Sequence, residues 1–327
     1  MSTPSAPPPL SAISTESPKV SVAMITYNQE KYVGEAVQGV LMQQTGFPYE
    51  LVIGEDCSSD RTREVVRDLE RRNPGRIRLL LAEQNRGAWE NFRQTLRACR
   101  GQYVALLDGD DYWTDPRKLQ LQADFLDANP DYALCFHNAR KVYEGGHRPP
   151  VLCFPPDRSR VVTLPDILAR NFIPTCSVMV RNGLIGDLPA CSRALDVGDW
   201  PFHVLTALHG KIGYLNEVMG AFRIHQGGLW SGKDRIERLN SRIAVYRAFR
   251  ANLEPRYASA IQPALSRCYL ELSSEHERRG DLRAARRHAM NALAAAMFRS
   301  GVELKNSLAR GLQLYAPGLW RLARSAR

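Results

Sequence analysis

From Lys19 to about residue 130, short apolar runs alternate with amphipathic helical patterns, and this rhythm restricts the fold more than any other feature. The runs are as short as strands and apolar at nearly every position, which is typical of strands buried on both faces. Such strands, separated by helices, indicate a parallel sheet with helices on both sides. The predicted strands are residues 20–26, 49–56, 77–83 and 102–108, and the predicted helices are residues 31–44, 60–72, 87–99 and 116–128.

A polar cluster follows each of these four strands. The clusters are TYN at 26–28, EDCSSD at 55–60, NRGAWEN at 85–91 and DGDD at 108–111. In parallel sheets of this kind, ligands bind outside the carboxyl ends of the strands. The four clusters therefore predict a single site at one edge of the sheet.

The last cluster raises an electrostatic problem. Asp108, Asp110 and Asp111 fall within four positions directly after an apolar strand. Carboxylates this close repel one another, and a desolvated pair does not ionise fully at low cost. Either a cation neutralises them or they form a solvated turn, and the preceding strand and the companion clusters favour the cation.

The pattern changes in the second half of the chain. The predicted strands there are residues 132–145 and 176–182 and two within 211–225, and the predicted helices are residues 163–171 and 198–210. From about residue 231 the chain is predicted to be helical, with two helices in 266–298 joined at Gly280 and Asp281. That pair is similar to one tetratricopeptide-type unit, which cannot bury its own apolar face and must pack on its neighbours.

Composition excludes several classes of protein. Residues 1–18 are rich in serine and proline and lack the regions of a signal peptide, so we expect a disordered leader. The chain has no apolar run of about 18 residues, which a membrane-spanning helix would need. Seven scattered cysteines without a C-x-x-C pair favour reduced thiols in the cytosol over a disulfide framework or a zinc site.

The net charge of +10 is concentrated at the carboxyl end. Residues 283–327 contain nine Lys or Arg and one Glu, a net charge of +8, so the first 282 residues carry only +2. The tail from Glu303 mixes leucine, tyrosine and tryptophan with arginine. It is consistent with a basic amphipathic helix on an anionic membrane or with a solvated terminal helix packed on the domain. No nucleic-acid recognition module is present, so we expect no nucleic acid as a partner.

The ordered set of clusters resembles the inverting family 2 glycosyltransferases of the GT-A fold, of the bacterial surface-polysaccharide type. The resemblance covers about residues 20–230. VSVAMITYN looks like the family's opening strand, EDCSSDRT like its DDxSxDxT segment, and GQYVALLDGDDYWTDPRKL like the stretch that holds its DxD motif. NRGAWEN follows at the expected distance, VGDWPFHV matches the segment that holds the base, and FRIHQGG looks like the late histidine loop. One departure is Glu55, where the family usually has aspartate.

The resemblance implies an α/β fold with a mostly parallel, Rossmann-like GT-A sheet flanked by helices. The domain at 19–230 would have a nucleotide-binding half at 19–115 and an acceptor half at 116–230, followed by a helical extension at 231–327 with the basic tail. The implied reaction is metal-dependent, inverting transfer of a sugar from a nucleoside-diphosphate donor to a hydroxyl of a glycan or lipid-linked acceptor. The implied location is the cytoplasm, either free or at the inner face of the cytoplasmic membrane.

By the same resemblance, Asp110 is a metal ligand and Asp108 contacts the ribose or a metal-bound water. His225 is a third candidate ligand or a diphosphate contact. Hard oxygen ligands suit Mn²⁺ or Mg²⁺ rather than Zn²⁺, and such a cation stabilises a leaving diphosphate.

The nucleotide is expected beside Thr26, Tyr27, Asn28 and Asp56. Tyr27 can stack on a pyrimidine. Asp56 can accept the ring N–H that uracil and thymine offer and cytosine lacks, which favours a UDP- or dTDP-sugar, although it could instead cap a helix. Asn85 and Arg86 precede a helix start, where a positive side chain suits a diphosphate or ribose.

Asp199 is the expected general base. Inversion requires a carboxylate that takes the proton of the acceptor hydroxyl while the nucleotide leaves from the opposite face. Asp199 could also cap the following helix. The neighbouring indole of Trp200 could bind a sugar face, and Cys176 and Ser177 are expected near the acceptor by resemblance only.

Two other functions stay open at this point. A nucleotidyltransferase on a related sheet would need a basic phosphate loop after the first strand, and TYNQEK is a poor one. A non-catalytic adaptor with a degenerate transferase domain is disfavoured by the intact aspartates of the motifs. A single helical pair is also too little for a repeat scaffold.

Overall fold

The computed structural model describes residues 17–146, 148–155, 162–186, 198–297 and 302–317. Within these ranges the protein is a mixed α/β structure, with helices on both faces of a sheet and a helical carboxyl-terminal region. Nearly all of the predicted leader and the last ten residues of the tail lie outside the described residues, as does Cys191.

The described elements follow the predicted alternation. The strands are β1 (Val20–Thr26), β2 (Tyr49–Glu55), β3 (Ile77–Leu81), β4 (Tyr103–Asp108), β5 (Tyr112–Trp113), β6 (Tyr132–Tyr143), β7 (Val151–Leu152), β8 (Val178–Arg181) and β9 (Lys211–Ile224). The α-helices are α1 (Val33–Leu41), α2 (Thr62–Arg72), α3 (Ala88–Ala98), α4 (Lys118–Ala128), α5 (Leu164–Ala169), α6 (Asp199–Ala207), α7 (Arg235–Asn252), α8 (Ala258–Arg278), α9 (Leu282–Ala296) and α10 (Val302–Tyr315).

The described strands form one sheet in the order β3-β2-β1-β4-β8-β6-β9-β5, with β7 paired to β6. The strands β1 to β4 are parallel, as the apolar runs predict. Beyond them β8 runs antiparallel to β4 and β6, and β5 runs antiparallel to β9, so the second half of the sheet is mixed. The parallel half places the carboxyl ends of β1, β2 and β4 side by side, and the polar clusters meet there.

Alternate residues of the central strands face two separate apolar layers. In β1, Val22 and Met24 belong to one layer together with residues of α1 and α4, whereas Ala23 belongs to the other layer with residues of α3 and α6. Leu106 and Leu107 of β4 divide in the same way. This two-sided burial is the reason that the strands are apolar at nearly every position.

Residues 211–224 form one strand rather than the two that the sequence predicts. Strand β9 pairs in parallel with β6 along its length, and the register shifts where Asn216 and Glu217 have no partner. A bulge of this kind lets a strand continue through residues that do not pair. The unbroken strand carries His225, the residue just after it, to the polar edge of the sheet.

The helical extension packs on the α/β domain. The ring of Tyr246 in α7 lies edge-on to Trp200, with 5.0 Å between ring centroids, and its hydroxyl donates to the carbonyl of Ala169 at 2.7 Å. The predicted helical pair is present as α8 and α9, and the turn between them contains Gly280 at φ 83°. Helices α7 and α10 contact this pair, so it buries its apolar face on neighbours.

One layer of the core runs without interruption from the sheet into α7 and α8. Because the same core includes residues on both sides of residue 230, the domain boundary predicted there stays a prediction. None of the described helices combines the length and the apolar composition that crossing a bilayer requires.

A lysine is buried against the sheet. Lys118 has no exposed surface, and its ammonium lies 3.7 Å from the centre of the Trp113 ring. Burial lowers the pKa of Lys118 to about 7, and burial together with Lys118 lowers the pKa of His137 to about 3. The unfolded chain keeps this lysine protonated up to its ordinary pKa of 10.5. The cost to folding is therefore greatest below about pH 7 and fades as the pH rises toward 10.5.

Lys118→Met is expected to stabilise the protein, by about 2 kcal/mol at about pH 6 and by less at about pH 9, because it removes a buried charge. Chemical denaturation at both pH values measures the free energy of unfolding. Lys211→Met is the matched control, since Lys211 pairs with Asp131 at the surface and its loss is expected to change stability little. A gain of equal size at both pH values would contradict the assigned cause.

Candidate active site

The acidic turn after β4 lies against the end of β1. The N–H of Gly109 donates to the carbonyl of Ile25 at 2.9 Å. A Cβ atom at Gly109 would lie 2.5 Å from Gln29 Oε1 and 2.8 Å from Thr26 Oγ1, so a larger side chain does not fit without displacing them. The Thr26 hydroxyl donates to the same Gln29 oxygen at 2.8 Å. Glycine between the two aspartates therefore allows the turn to approach β1 closely.

Asp110 and His225 are paired at this edge. His225 Nε2 lies 2.9 Å from Asp110 Oδ2, and His225 is 8% exposed. Its ring packs against Tyr32, with 4.7 Å between ring centroids. Arg223 supports the pair, since its Nε donates to the carbonyl of Asp110 at 2.9 Å and its guanidinium donates to Glu35 at 2.6 Å. The acidic turn and the late histidine loop thus form one unit across 115 residues of sequence.

The carboxylates of the turn have different surroundings. Burial, and then the charges of Asp110 and Asp199, raise the pKa of Asp108 to about 8. Burial, and then Asp110 and Asp108, raise the pKa of Asp111 well above its ordinary value. Asp111 is 1% exposed, and its Oδ1 accepts the N–H of Arg223 at 2.9 Å, so it faces the protein. This is the repulsion that the sequence predicts, and a cation at Asp108 and Asp110 would relieve it.

Asp199 reaches the same cluster from the second half of the domain. It is the first residue of α6, and its Oδ2 accepts the Asn171 amide at 3.2 Å and the Thr175 hydroxyl at 3.4 Å. Thr175 also lowers the pKa of Asp108, although burial and the neighbouring charges raise it overall. Both donors contact Oδ2 rather than Oδ1. The helix cap is Gly198, so the capping alternative for Asp199 is not realised.

Trp89 of α3 contacts the start of α6. The indole is 7% exposed, and a Cβ atom on Gly198 would lie 2.9 Å from its ring. Glycine at 198 therefore lets α6 begin close to the NRGAWEN cluster. This contact brings the cluster after β3 to the same edge as Asp199.

The expected nucleotide residues lie at the ends of β1 and β2. Tyr27 is 45% exposed. Asn28 has a left-handed backbone at φ 52°, and its Oδ1 accepts the N–H of Ser59 at 2.8 Å. Cys57 is also left-handed at φ 58°, a conformation that costs energy in a residue with a side chain. These two turns join the TYN and EDCSSD clusters and leave the Tyr27 ring accessible.

Asp56 is 2% exposed and binds the loop before α3. Its Oδ1 accepts the N–H of Arg86 at 2.8 Å, and its Oδ2 accepts the N–H of Gly87 at 2.9 Å. Asn85 Nδ2 donates to the Asp56 carbonyl at 3.2 Å, and the side chains of Asn85 and Arg86 are exposed beside it. The capping alternative for Asp56, at the start of the helix predicted at 60–72, is not realised, because α2 begins at Thr62 without a side-chain cap and Asp56 binds the loop before α3 instead. Each carboxylate oxygen keeps a second acceptor position, so this arrangement remains compatible with a contact to a base N–H.

Glu55, the departure from the family pattern, has a structural partner. Its side chain has no exposed surface and forms an ion pair with Arg63 of α2. Its Oε1 accepts the N–H of Ser58 at 2.6 Å. Arg63 also donates to the carbonyl of Ala82, so the pair ties the ends of β2 and β3 to α2.

Three residues that were expected near the acceptor are buried instead. Trp200 is 2% exposed, its Nε1 donates to the carbonyl of Ile167 at 2.7 Å, and its ring packs on α7. Its indole face is therefore covered by protein, which corrects the prediction that it binds a sugar. Cys176 and Ser177 have no exposed surface, so their side chains do not contact an acceptor in this arrangement. They lie instead in the turn that carries Thr175.

The sequence predictions missed Asn171, Thr175 and Arg223. A signal existed for Arg223, because residues two apart in a strand point to the same face and Arg223 precedes His225 by two. Asn171 and Thr175 lie in an irregular stretch between α5 and β8, where no periodic pattern marks them.

The side chains at the acidic turn fit a hard divalent cation. Asp110 offers a carboxylate, His225 an imidazole beside it, and Asp108 a second carboxylate close by. No three His, Cys, Asp or Glu side chains within the described part of the chain already form a metal cluster. Mg²⁺ sites commonly use one or two carboxylates and take further ligands from substrate phosphates and water. The residues are therefore compatible with a cation that is shared with a diphosphate.

Comparison with known proteins places these residues in a family. The family model described as glycosyl transferase family 2 matches residues 21–185, half of the chain. That range contains the four polar clusters of the parallel sheet, whereas Asp199 and His225 lie beyond it.

Two relatives illustrate the range of similarity. An uncharacterized protein of Mycobacterium tuberculosis is 41% identical over 213 residues, which are 64% of this chain and 60% of that protein. TuaG of Bacillus subtilis, a proposed glycosyltransferase of teichuronic acid biosynthesis, is 29% identical over 220 residues, which are 66% of this chain and 83% of that protein. The chain thus spans about 60% of the length of its mycobacterial relative.

Two solved structures share the fold along nearly the whole chain. S. aureus TarS 1-349 in complex with UDP-GlcNAc has a TM-score of 0.61 at 18% identity, over 94% of this chain and 92% of that chain. The mannosyltransferase PcManGT from Pyrobaculum calidifontis in complex with GDP-Man and Mn²⁺ has a TM-score of 0.56 at 20% identity, over 95% and 84%. The likeness concerns the fold, and it confirms the predicted GT-A architecture with its helical extension.

Proposed function

The chain belongs to glycosyl transferase family 2, and we propose that it transfers a sugar with inversion from a nucleoside-diphosphate donor to a hydroxyl of a glycan or lipid-linked acceptor. The observation that carries this proposal is the meeting of Asp199 with the acidic turn. The Thr175 hydroxyl donates to Asp199 at 3.4 Å, and both Thr175 and the charge of Asp199 shift the pKa of Asp108. A leaving-group site and a base must face the same sugar from opposite sides, so they must share one cleft.

The ends of β1 and β2 support the nucleotide end of the cleft. The exposed Tyr27 ring is available to stack on a pyrimidine base. Asp56 is held by the N–H groups of Arg86 and Gly87, so its carboxylate is oriented before any ligand binds. A spare acceptor position on this carboxylate favours uracil or thymine, which offer a ring N–H. We therefore propose a UDP- or dTDP-sugar as the donor.

Asp110 and His225 would hold a Mn²⁺ or Mg²⁺ ion, with Asp108 toward the ribose or a metal-bound water. When bound, such a cation neutralises the charge that develops on the departing diphosphate. Arg223 holds the backbone of Asp110, and Tyr32 covers the His225 ring, so both side chains are positioned by the protein. TarS and PcManGT were solved with nucleotide-sugars, and PcManGT with Mn²⁺, which is consistent with this assignment.

Asp199 would act as the general base. Asn171 and Thr175 donate to its Oδ2, which fixes the carboxylate, and Oδ1 would take the proton. The acceptor hydroxyl loses its proton to Asp199 as its oxygen attacks the anomeric carbon, and the bond from that carbon to the diphosphate oxygen breaks. No protein acid is required, because the leaving group departs as a diphosphate.

We propose cell-surface polysaccharide synthesis as the setting of this reaction. The similarity to TuaG supports this setting. The cysteines of the described residues are free thiols, which supports a location in the cytoplasm.

The proposal is tested by isothermal titration of UDP, dTDP, GDP and CDP, each with Mn²⁺ and with EDTA. We expect metal-dependent binding of UDP or dTDP and weaker binding of CDP, because cytosine lacks the ring N–H that Asp56 would accept. Circular dichroism on the same samples shows that the protein is folded. Absence of binding by every nucleotide would overturn the proposal and favour a non-catalytic adaptor.

A further inference from the structure

Exposed apolar side chains are concentrated on α9 and α10. Of the thirteen large apolar side chains that are exposed among the described residues, seven lie between Leu282 and Tyr315. Single exposed apolar residues are normal, but a contiguous set marks an interaction site. The α9–α10 surface, as named from here on, consists of the outward side chains Leu282, Arg286, Met290, Leu308, Leu312 and Tyr315.

The outward stripes of the two helices touch. The guanidinium of Arg286 on α9 lies 5.5 Å from the centre of the Tyr315 ring on α10. The Nε of Arg286 donates to the carbonyl of Leu314, also on α10, at 3.1 Å. Leu282 and Met290 lie one helical turn on either side of Arg286. Leu312 lies one turn before Tyr315 on α10. The apolar side chains of both helices therefore form one patch around Arg286.

The inner side of α10 anchors this surface. Ser307 and Leu314 are buried, and the Ser307 hydroxyl lies 3.1 Å from the hydroxyl of Ser266 in α8. Leu314 packs with Ala285 and Ala289 of α9. Of the two arrangements predicted for the tail, α10 thus adopts the packed one, and its outer side still faces solvent.

The positive charge of the α9–α10 surface indicates an anionic partner. Arg286 belongs to the surface, Arg283 and Arg287 are exposed beside it on α9, and that helix contains no acidic residue. A second copy of this chain would bring the same positive charge, so repulsion opposes self-association through this patch. Anionic lipid headgroups complement the arginines, and apolar side chains between them suit the boundary of headgroups and acyl chains.

We propose that the α9–α10 surface binds peripherally to an anionic lipid bilayer. The binding site is a folded two-helix face rather than the terminal tail alone. This inference is independent of the proposed sugar transfer, since it depends on the charge and exposure of α9 and α10 only.

The test uses the full chain and co-sedimentation with vesicles of phosphatidylcholine, alone or mixed with phosphatidylglycerol. We expect binding that requires phosphatidylglycerol and weakens as salt is raised. The double substitution Arg283→Glu with Arg287→Glu is expected to lower vesicle binding about tenfold or more. The matched control is Arg71→Glu with Arg72→Glu, which changes the net charge by the same amount at α2 positions that are 75% and 72% exposed.

A second pair of variants tests the apolar part. Leu312→Glu is expected to lower binding, whereas Val151→Glu, at a comparably exposed apolar position on β7, is expected to leave it unchanged. Equal loss in the Arg71 and Arg283 double variants would reduce the effect to net charge and overturn the proposal. Self-association that Leu312→Glu abolishes, without vesicle binding by the native protein, would assign the surface to a second copy instead. Nucleotide titration on each variant separates this result from a failure of the proposed transferase site.

Discussion

Asp110→Ala is expected to weaken metal-dependent nucleotide binding about 100-fold or more while the protein stays folded. Asp110 is the carboxylate that lies 2.9 Å from His225 Nε2, so its removal takes one of two adjacent candidate ligands. Isothermal titration with the preferred nucleotide and Mn²⁺ measures the change, and the variant should then resemble the native protein in EDTA.

The control for this variant is Asp131→Ala. Asp131 pairs with Lys211 at the opposite end of the sheet, where β6 and β9 begin. Its removal deletes one surface carboxylate with the same change of charge and should leave nucleotide affinity unaltered. Metal-dependent binding that survives in Asp110→Ala would remove this residue from the cation site, and equal losses in both variants would show a general effect of charge.

The first half of the fold could be predicted because its signals are local. The run VSVAMIT is β1 in full, Val20–Thr26, and the other parallel strands match their predicted positions within about two residues. Each run is apolar at successive positions and is bounded by polar clusters, so no tertiary information is needed to find it. The strands β5 and β7 contain two residues each, which is too few for any period, and only their pairing partners define them.

The second half contains long-range effects that the sequence does not encode locally. Asn216 and Glu217 interrupt an apolar run and predict a break between two strands. The neighbouring strand β6 supplies pairing on both sides of the interruption, so β9 continues through a bulge. Tertiary pairing overrides the local signal here.

In the candidate site, too, the sequence locates residues that only tertiary packing orients. Asp199 and Trp200 are adjacent in sequence, yet successive residues on a helix point in different directions. Asp199 at the start of α6 faces the acidic turn, whereas Trp200 faces α7, an element that lies about 40 residues later in the chain. The motif locates the pair, but only the packing of α7 decides which of the two side chains is covered and which faces the acidic turn.

Asp199→Asn is expected to lower the turnover number about 100-fold or more, within the range for loss of a general base, without a change in nucleotide affinity. Asparagine has the same shape and can still accept the hydrogen bonds of Asn171 and Thr175, but its amide does not take a proton from the acceptor. Release of nucleoside diphosphate in the presence of a saturating acceptor measures turnover. Isothermal titration on the same preparation measures nucleotide affinity.

The matched control is Asp281→Asn. Asp281 is also an aspartate at the start of a helix, where its side chain accepts the N–H of Ala284 at 2.9 Å, but it lies in the turn before α9, in the helical extension. Because asparagine caps a helix about as well as aspartate, this variant should stay folded and keep full turnover. If Asp199→Asn kept full turnover as well, Asp199 would be only a residue at a helix start. A loss of turnover confined to Asp199→Asn, with unchanged nucleotide binding, would support Asp199 as the carboxylate that takes the proton of the acceptor hydroxyl.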